Sequence, residues 1–261
     1  MRLLYFICFI GLGLVQSLHA AETPPNVVLI FADDLGYGDV GCYGATKVQT
    51  PNIDRLAREG RRFTDAHSAS AVCTPSRYGL LTGEYPHRAG IWGPCGHTAP
   101  LLIDTEKLTL AQLFKNNGYT TSCFGKWHLG FGTGKTDWNK PLRPGPLELG
   151  FDDYFGVPKV NSGFPYVFVQ NDRIFGWDPE DPLVFGKQPY SPTPTFPVET
   201  AGRKSPNRFG GAKKAHELYH DERIATVLSE RATRWIDSRD KQKPFFLYLP
   251  TTNIHHPCTP A

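Results

Sequence analysis

The apolar positions of the chain change period several times, and each change marks an element. Val27 to Phe31 form an unbroken apolar run, the pattern of a parallel strand buried on both faces. The run ends in Ala32-Asp33-Asp34, with Gly36 and Gly38 just beyond. Ile53, Leu56 and Ala57 share one face of a short helix that Gly60 stops. "RRFTDAHSAS" (Arg61 to Ser70) reads as a strand and loop. "LTLAQLFKNNGYTTSCFGKWHLG" (Leu108 to Gly130) reads as a helix stopped at Gly118, a short strand, and a loop carrying Lys126 and His128. From about residue 131 to 215, proline, glycine and aromatics predict long excursions with little regular structure. Ile224, Val227, Leu228, Ala232, Trp235 and Ile236 then make a helical stripe, and Pro244 opens an apolar strand, "FFLYL". This alternation predicts an α/β fold with a largely parallel central sheet flanked by helices.

Length and charge narrow the picture modestly. A chain of 261 residues suits one large α/β domain or two smaller ones. The net charge of +3 is spread along the chain and forms no basic stripe, so nucleic acid is not an expected partner. The N-terminus, "MRLLYFICFIGLGLVQSLHA", has Arg2 before an apolar stretch from Leu3 to Val15, shorter than the ~20 residues that a span needs. Residues 1–20 read as a signal peptide cut after Ala20 or Ala21, with a membrane anchor as the alternative. The expected mature protein is soluble and exported, periplasmic or secreted, with no membrane attachment after cleavage. Beyond the leader lie Cys42, Cys73, Cys95, Cys123 and Cys258, an odd number, so an oxidising compartment leaves at least one unpaired.

Cys73 stands out by its setting. Thr74-Pro75-Ser76 resembles a helix entry with Thr74 as cap, which places Cys73 at a helix N-terminus, where free backbone N–H groups stabilise an anion. A thiol there is a nucleophile, or else half of a disulfide. Arg77, one turn on, can fold back toward the same point. Asp33 and Asp34 repel each other unless a cation or an arginine compensates. They sit where open α/β sheets bind ligands, beyond the carboxyl end of a strand, and their oxygens suit Ca²⁺ or Mg²⁺. Otherwise they form a solvated turn. Lys126 offers a compact charge and His128 a proton near neutral pH, and two residues apart on an extended segment they point the same way. Tyr154, Phe155, Trp177 and Phe185 could stack on a ring of a ligand or simply pack.

"CTPSRYGLLTG" matches, at every defined position, the signature C-(S/T)-P-S-R-x-x-x-L-T-G, and "GKWHLG" matches a second signature of the same family. With "ADDLGYGD" at residues 32–39, the chain resembles the type I sulfatases of the alkaline phosphatase-like superfamily. The resemblance implies that fold, with Cys73 oxidised to formylglycine by a formylglycine-generating enzyme. It also implies that Asp33, Asp34 and the residue at 73 hold a divalent cation, usually calcium. Arg77 would hold the formylglycine hydrate, His128 would act as base, and Lys126 and His255 would bind sulfate oxygens. His255 matches the family's H-x-P context and His256 is the runner-up. The family's serine after "GFDDYFGxP" has no clear match, with Asn161 or Ser162 nearby.

The implied reaction is hydrolysis of a sulfate ester of a small molecule or glycan: R–O–SO₃⁻ + H₂O → R–OH + SO₄²⁻ + H⁺. In the family a second metal-ligand pair, Asp-Asn, and a second catalytic lysine follow the histidine strand, and neither is found here. The resemblance therefore covers residues 26–261 as the N-terminal part of the catalytic domain (21–261 after the leader), with the C-terminal part missing. The alternatives are a phosphate or phosphonate ester hydrolase of the same superfamily, and an inactive binding protein for sulfated glycans.

Overall fold

The computed structural model describes residues 24–161, 163–185 and 209–256. The leader, Ser162, Pro257 and Cys258 lie outside the described residues. In chain order the elements are β1 (Val27–Phe31), α1 (Pro51–Glu59), α2 (Cys73–Thr82), α3 (Leu110–Asn116), β2 (Thr120–Phe124) and β3 (Asp153–Gly156). They continue with β4 (Val169–Gln170), β5 (Arg173–Ile174), β6 (Val184–Phe185), β7 (Phe209–Gly210), α4 (Lys213–Glu217), α5 (Ile224–Ser238) and β8 (Phe245–Pro250). Six strands form one sheet in the order β1-β8-β2-β3-β4-β5. β1, β8, β2 and β3 run parallel, while β4 and β5 form an antiparallel extension.

The period of two along β8 explains the layering. Phe246 and Tyr248 face one core with Tyr78, Leu81, Ala111, Cys123, Trp127 and Tyr154, contributed by α2, α3 and their neighbours. Phe245 and Leu247 face the other, where Ile224, Leu228 and Ala232 of α5 pack with Phe124 and Phe155. Both faces of the central strands are thus covered, as parallel sheets require. The stripe on α5 and the strand after Pro244 match expectation, as do α3 and β2.

Other expectations fail in instructive ways. Only one face of β1 is covered: Val27, Leu29 and Phe31 pack on a core, while Val28 and Ile30 are 46% and 58% exposed despite the fully apolar run. The expected inner face of α1 is likewise open, with Ile53 and Leu56 exposed. α1 is instead tied by polar contacts, its Asp54 Oδ1 accepting from Cys42 N at 2.7 Å. No strand forms over residues 61–70. Within 131–215, β3 is a regular strand of the main sheet that the composition concealed. Tyr154 and Phe155 are buried in the two cores, and Trp177, half-buried, packs against one of them.

One polar clamp holds the entry of the sheet. Asp152 Oδ2 accepts from Thr121 N at 2.9 Å and Thr121 Oγ1 at 3.1 Å, and Lys115 Nζ pairs with Oδ1 at 2.7 Å. Burial pushes the Asp152 pKa up, but the hydrogen bonds from Lys115 and Thr121 outweigh it and hold the group below its ordinary value. A carboxylate depressed in the folded state stabilises fully above the unfolded pKa of ~3.9 and loses that contribution as pH falls through the lower folded value. Asp152→Asn is therefore expected to cost about 1 kcal/mol at pH 7 and to flatten the acid limb of the stability curve below about pH 4. Urea denaturation across pH measures both effects, and an unchanged acid limb would contradict the clamp.

Candidate active site

β1, β8 and β2 run parallel, so their carboxyl ends open on one edge of the sheet. The loops leaving that edge carry Asp33 and Asp34 after β1, Lys126 and His128 after β2, and His255 after β8. Backbone bonds continue beyond the strands and fasten these loops together. Asp33 N donates to Asn253 O at 2.9 Å, Ile254 N to Asp33 O at 2.7 Å, and Lys126 N to Pro250 O at 2.7 Å.

Asp33 is the hub. Its side chain is buried, Lys126 Nζ lies 2.6 Å from Oδ2, and Arg77 Nη2 lies 3.3 Å from Oδ1. Arg77 Nη1 also donates to Lys126 O at 2.8 Å. Arg77 and Lys126 are themselves fully buried, so three charges share one water-excluded point. Burial, and then the neighbouring Arg77 charge, push the Lys126 pKa down, against the pull of Asp33 and Cys73.

Cys73 is the first residue of α2, as the helix-entry reading placed it, and its side chain is half-buried as a free thiol. Thr74, however, is not the cap. Val72 takes that position, with no side-chain bond, and the Thr74 hydroxyl is spent elsewhere, donating to His128 O at 2.8 Å. Arg77, one turn on, does turn back, reaching Asp33 and the loop after β2.

The hexapeptide from Gly125 to Gly130 is specified at every position. Gly125 has φ +153°, and a Cβ there would meet Pro250 O at 2.0 Å. Gly130 has φ +79°, and a Cβ would lie 1.9 Å from Pro100 O. Trp127 is buried among Phe131, Phe151 and Tyr154, its Nε1 donating to Gly130 O at 2.8 Å. His128 adopts φ +53°, a left-handed conformation uncommon for a residue with a side chain. The segment is therefore not extended, and Lys126 and His128 do not simply point the same way. Lys126 turns to Asp33, whereas the His128 ring packs by Cys95, with Nε2 3.1 Å from Cys95 O. Burial, and then Lys126, drive the His128 pKa down to about 2, so the ring is neutral.

Asp34 faces outward. Also left-handed, at φ +62°, it is half-exposed, and His255 Nε2 lies 3.8 Å from its Oδ2. The ligand atoms of Asp34, His255 and His256 lie within 4.8 Å of one another. His255 is the more buried of the two histidines, and its pKa is lowered by burial and by Lys126. Asn161, buried at 5% exposure, places its Nδ2 3.5 Å from His255 O and borders the same loop. The consecutive aspartates thus have different neighbours, Asp33 the buried cations and Asp34 the histidines. Their carboxylates are hard donors of the kind that Ca²⁺ or Mg²⁺ takes, and Asp34 has no lysine or arginine partner among the described residues. Of the pair, Asp34 offers the hard carboxylate that such a cation takes, whereas both Asp33 oxygens are engaged by Lys126 and Arg77.

The Cys95 loop is the contribution that residue patterns did not signal. Its carbonyl meets the His128 ring, and its N–H donates to Thr74 Oγ1 at 3.0 Å. A half-buried cysteine in a glycine-rich loop carries no sequence mark of that role.

A sulfatase family model matches residues 25–261. The chain is 42% identical to the N-acetylgalactosamine-6-O-sulfatase of Bacteroides thetaiotaomicron over 90% of its own length and 49% of that relative. Human arylsulfatase A is 35% identical over 94% of this chain and 44% of its own. Among solved structures, one from a glycosaminoglycan-metabolising core locus of B. thetaiotaomicron superposes with TM-score 0.80 at 41% identity, covering 90% of this chain and 52% of that one. A Pseudoalteromonas sulfatase, PsFucS1, superposes with TM-score 0.63 at 27% identity, over 91% and 45%. The chain belongs to the sulfatase family, with the alkaline phosphatase-like fold, and it spans about half the length of the curated relatives it matches.

Proposed function

We propose that the protein containing this chain hydrolyses sulfate monoesters, of carbohydrates or aryl alcohols, with residue 73 as nucleophile. The observation that carries the reading is the placement of Cys73. It opens a helix whose Arg77 is locked, with Lys126, onto Asp33 at the carboxyl edge of a parallel sheet. Formylglycine at position 73 would supply, as its hydrate, one hydroxyl to attack sulfur and a second whose deprotonation expels sulfate. A divalent cation held by Asp33 and Asp34 with residue 73 would supply positive charge to the nucleophile; calcium is our choice, because the carboxylates are hard donors.

The chain's own residues do the rest. Arg77 keeps a buried Nε without a hydrogen-bond partner among the described residues, a donor suited to an oxygen of the residue 73 hydrate or of sulfate. Lys126 neutralises sulfate charge in a site where water is excluded, which strengthens the attraction. His255, half-buried beside Asp34, binds a sulfate oxygen or serves the leaving oxygen. His128 accepts the proton released when sulfate leaves. The negative charge of the bound sulfate ester raises its basicity, opposing the Lys126 field that lowers it.

The leader at residues 1–20 directs export, and a formylglycine-generating enzyme is the maturation partner. The relatives named for N-acetylgalactosamine 6-sulfate make a sulfated glycan the preferred substrate class. The test is to express the protein with a formylglycine-generating enzyme and to read the peptide containing residue 73 by mass spectrometry. Turnover of an aryl sulfate and an aryl phosphate is then compared with calcium present. Aldehyde at residue 73 and preference for the sulfate are expected. An unmodified thiol in active protein, or preference for the phosphate, refutes the reading.

A further inference from the structure

We propose that Thr74 is a positioning residue: through Cys95 it fixes the His128 imidazole as the Nε2–H tautomer, so that Nδ1 is a bare acceptor for the reacting group. The proposal rests on the sulfatase reading of the site only in saying what Nδ1 serves. The tautomer and its clamp follow from geometry.

The ring atom Nε2 lies 3.1 Å from the main-chain carbonyl of Cys95. A carbonyl oxygen accepts and never donates, so Nε2 carries the hydrogen. In a neutral ring the other nitrogen then has only its lone pair. Nδ1 is buried and has no hydrogen-bond partner among the described residues. A buried acceptor left without a donor is unfavourable, and a donor from a bound group removes that cost.

The clamp is built around one hydroxyl. Thr74 Oγ1 donates to His128 O at 2.8 Å and accepts from Cys95 N at 3.0 Å. It therefore joins the residue next to the nucleophile, the loop that holds the ring, and the backbone of the histidine. Cys95 Sγ adds a weaker contact to the same His128 carbonyl at 3.4 Å, and His128 N donates to Pro158 O at 2.9 Å. Such over-determination is what a left-handed residue bearing a side chain needs, since that conformation persists only where the surroundings hold it. The buried Thr74 side chain is thus used as a bracket, and valine, its isostere, would fill the space without joining anything.

The experiment is long-range ¹⁵N–¹H correlation NMR of the full protein labelled with ¹⁵N-histidine. The His128 signals are assigned by their disappearance in His128→Gln. In the wild type, Nδ1 should resonate in the unprotonated range and Nε2 in the protonated range. Thr74→Val should move both toward the average of two tautomers and lower kcat by about 10–100-fold with little change in KM. Thr74→Ser should restore both. An Nδ1–H ring in the wild type overturns the proposal even if Thr74→Val does not fold. An unaltered Nε2–H signal in folded Thr74→Val overturns the role of Thr74. Because the spectrum is read without turnover, an Nε2–H ring in a protein that hydrolyses no sulfate ester would uphold the clamp while removing the sulfatase reading.

Discussion

Cys73→Ala is expected to lower sulfate-ester turnover by at least about 10³-fold while leaving stability within about 1 kcal/mol of the wild type. The two effects separate because the side chain has little structural work. Cys73 is half-buried, bonded to no other cysteine among the described residues, and absent from both hydrophobic cores. Alanine suits a helix start and leaves Arg77, Lys126 and Asp33 in contact. On the proposed mechanism the loss reports residue 73 alone: without its hydroxyl the site would still attract an anion but could not attack sulfur. Release of aryl alcohol, followed beside a urea unfolding curve, checks both halves. Wild-type turnover in the alanine variant would show that residue 73 does no chemistry.

Asp33→Asn is expected to destabilise the fold by about 3–5 kcal/mol, several times the effect of Asp34→Asn. Asparagine keeps the shape of Asp33 but leaves Lys126 and Arg77 buried around no counter-charge. The cost is bounded because Lys126, already pulled down by burial and by Arg77, can give up its proton. Asp34 is half-exposed, and asparagine tolerates its left-handed backbone, so that variant loses little. Asp33→Asn combined with Lys126→Met should recover part of the loss, since one of the two orphaned charges goes too. The measurement is chemical denaturation without added divalent cation. Equal losses for the two aspartate variants would contradict the buried network.

What the sequence made legible follows from how local each signal is. The α5 stripe, the strand after Pro244 and the helix–strand unit before Lys126 carry their period within a few turns, and all are present. Position 73 was readable because proline and small polar residues announce a helix start, although Thr74 proved to be a bracket and not a cap. β3 was hidden because an aspartate and a glycine are two of its four residues, and its pairing partners come from other segments. The ion contact between Asp33 and Lys126 was equally invisible. It joins loops 93 residues apart, brought together only by the order β1-β8-β2. The exposure of β1 shows the converse limit, since an apolar run states what a strand can bury and not what covers it.

The pairing of β1 with β8 also sets a timetable for folding. Asn26, at the foot of β1, holds the Phe245 amide across a sequence separation of 219. At a synthesis rate of about 5–20 residues per second, the strand that leads into Asp33 waits on the order of ten to forty seconds for its neighbour. Through that interval Val27 to Phe31 is a short apolar segment with open hydrogen-bonding edges, the kind that recruits other chains. Loop closure over such a distance is slow, so yield should depend more on chaperone supply and temperature during expression than on the stability of the finished sheet.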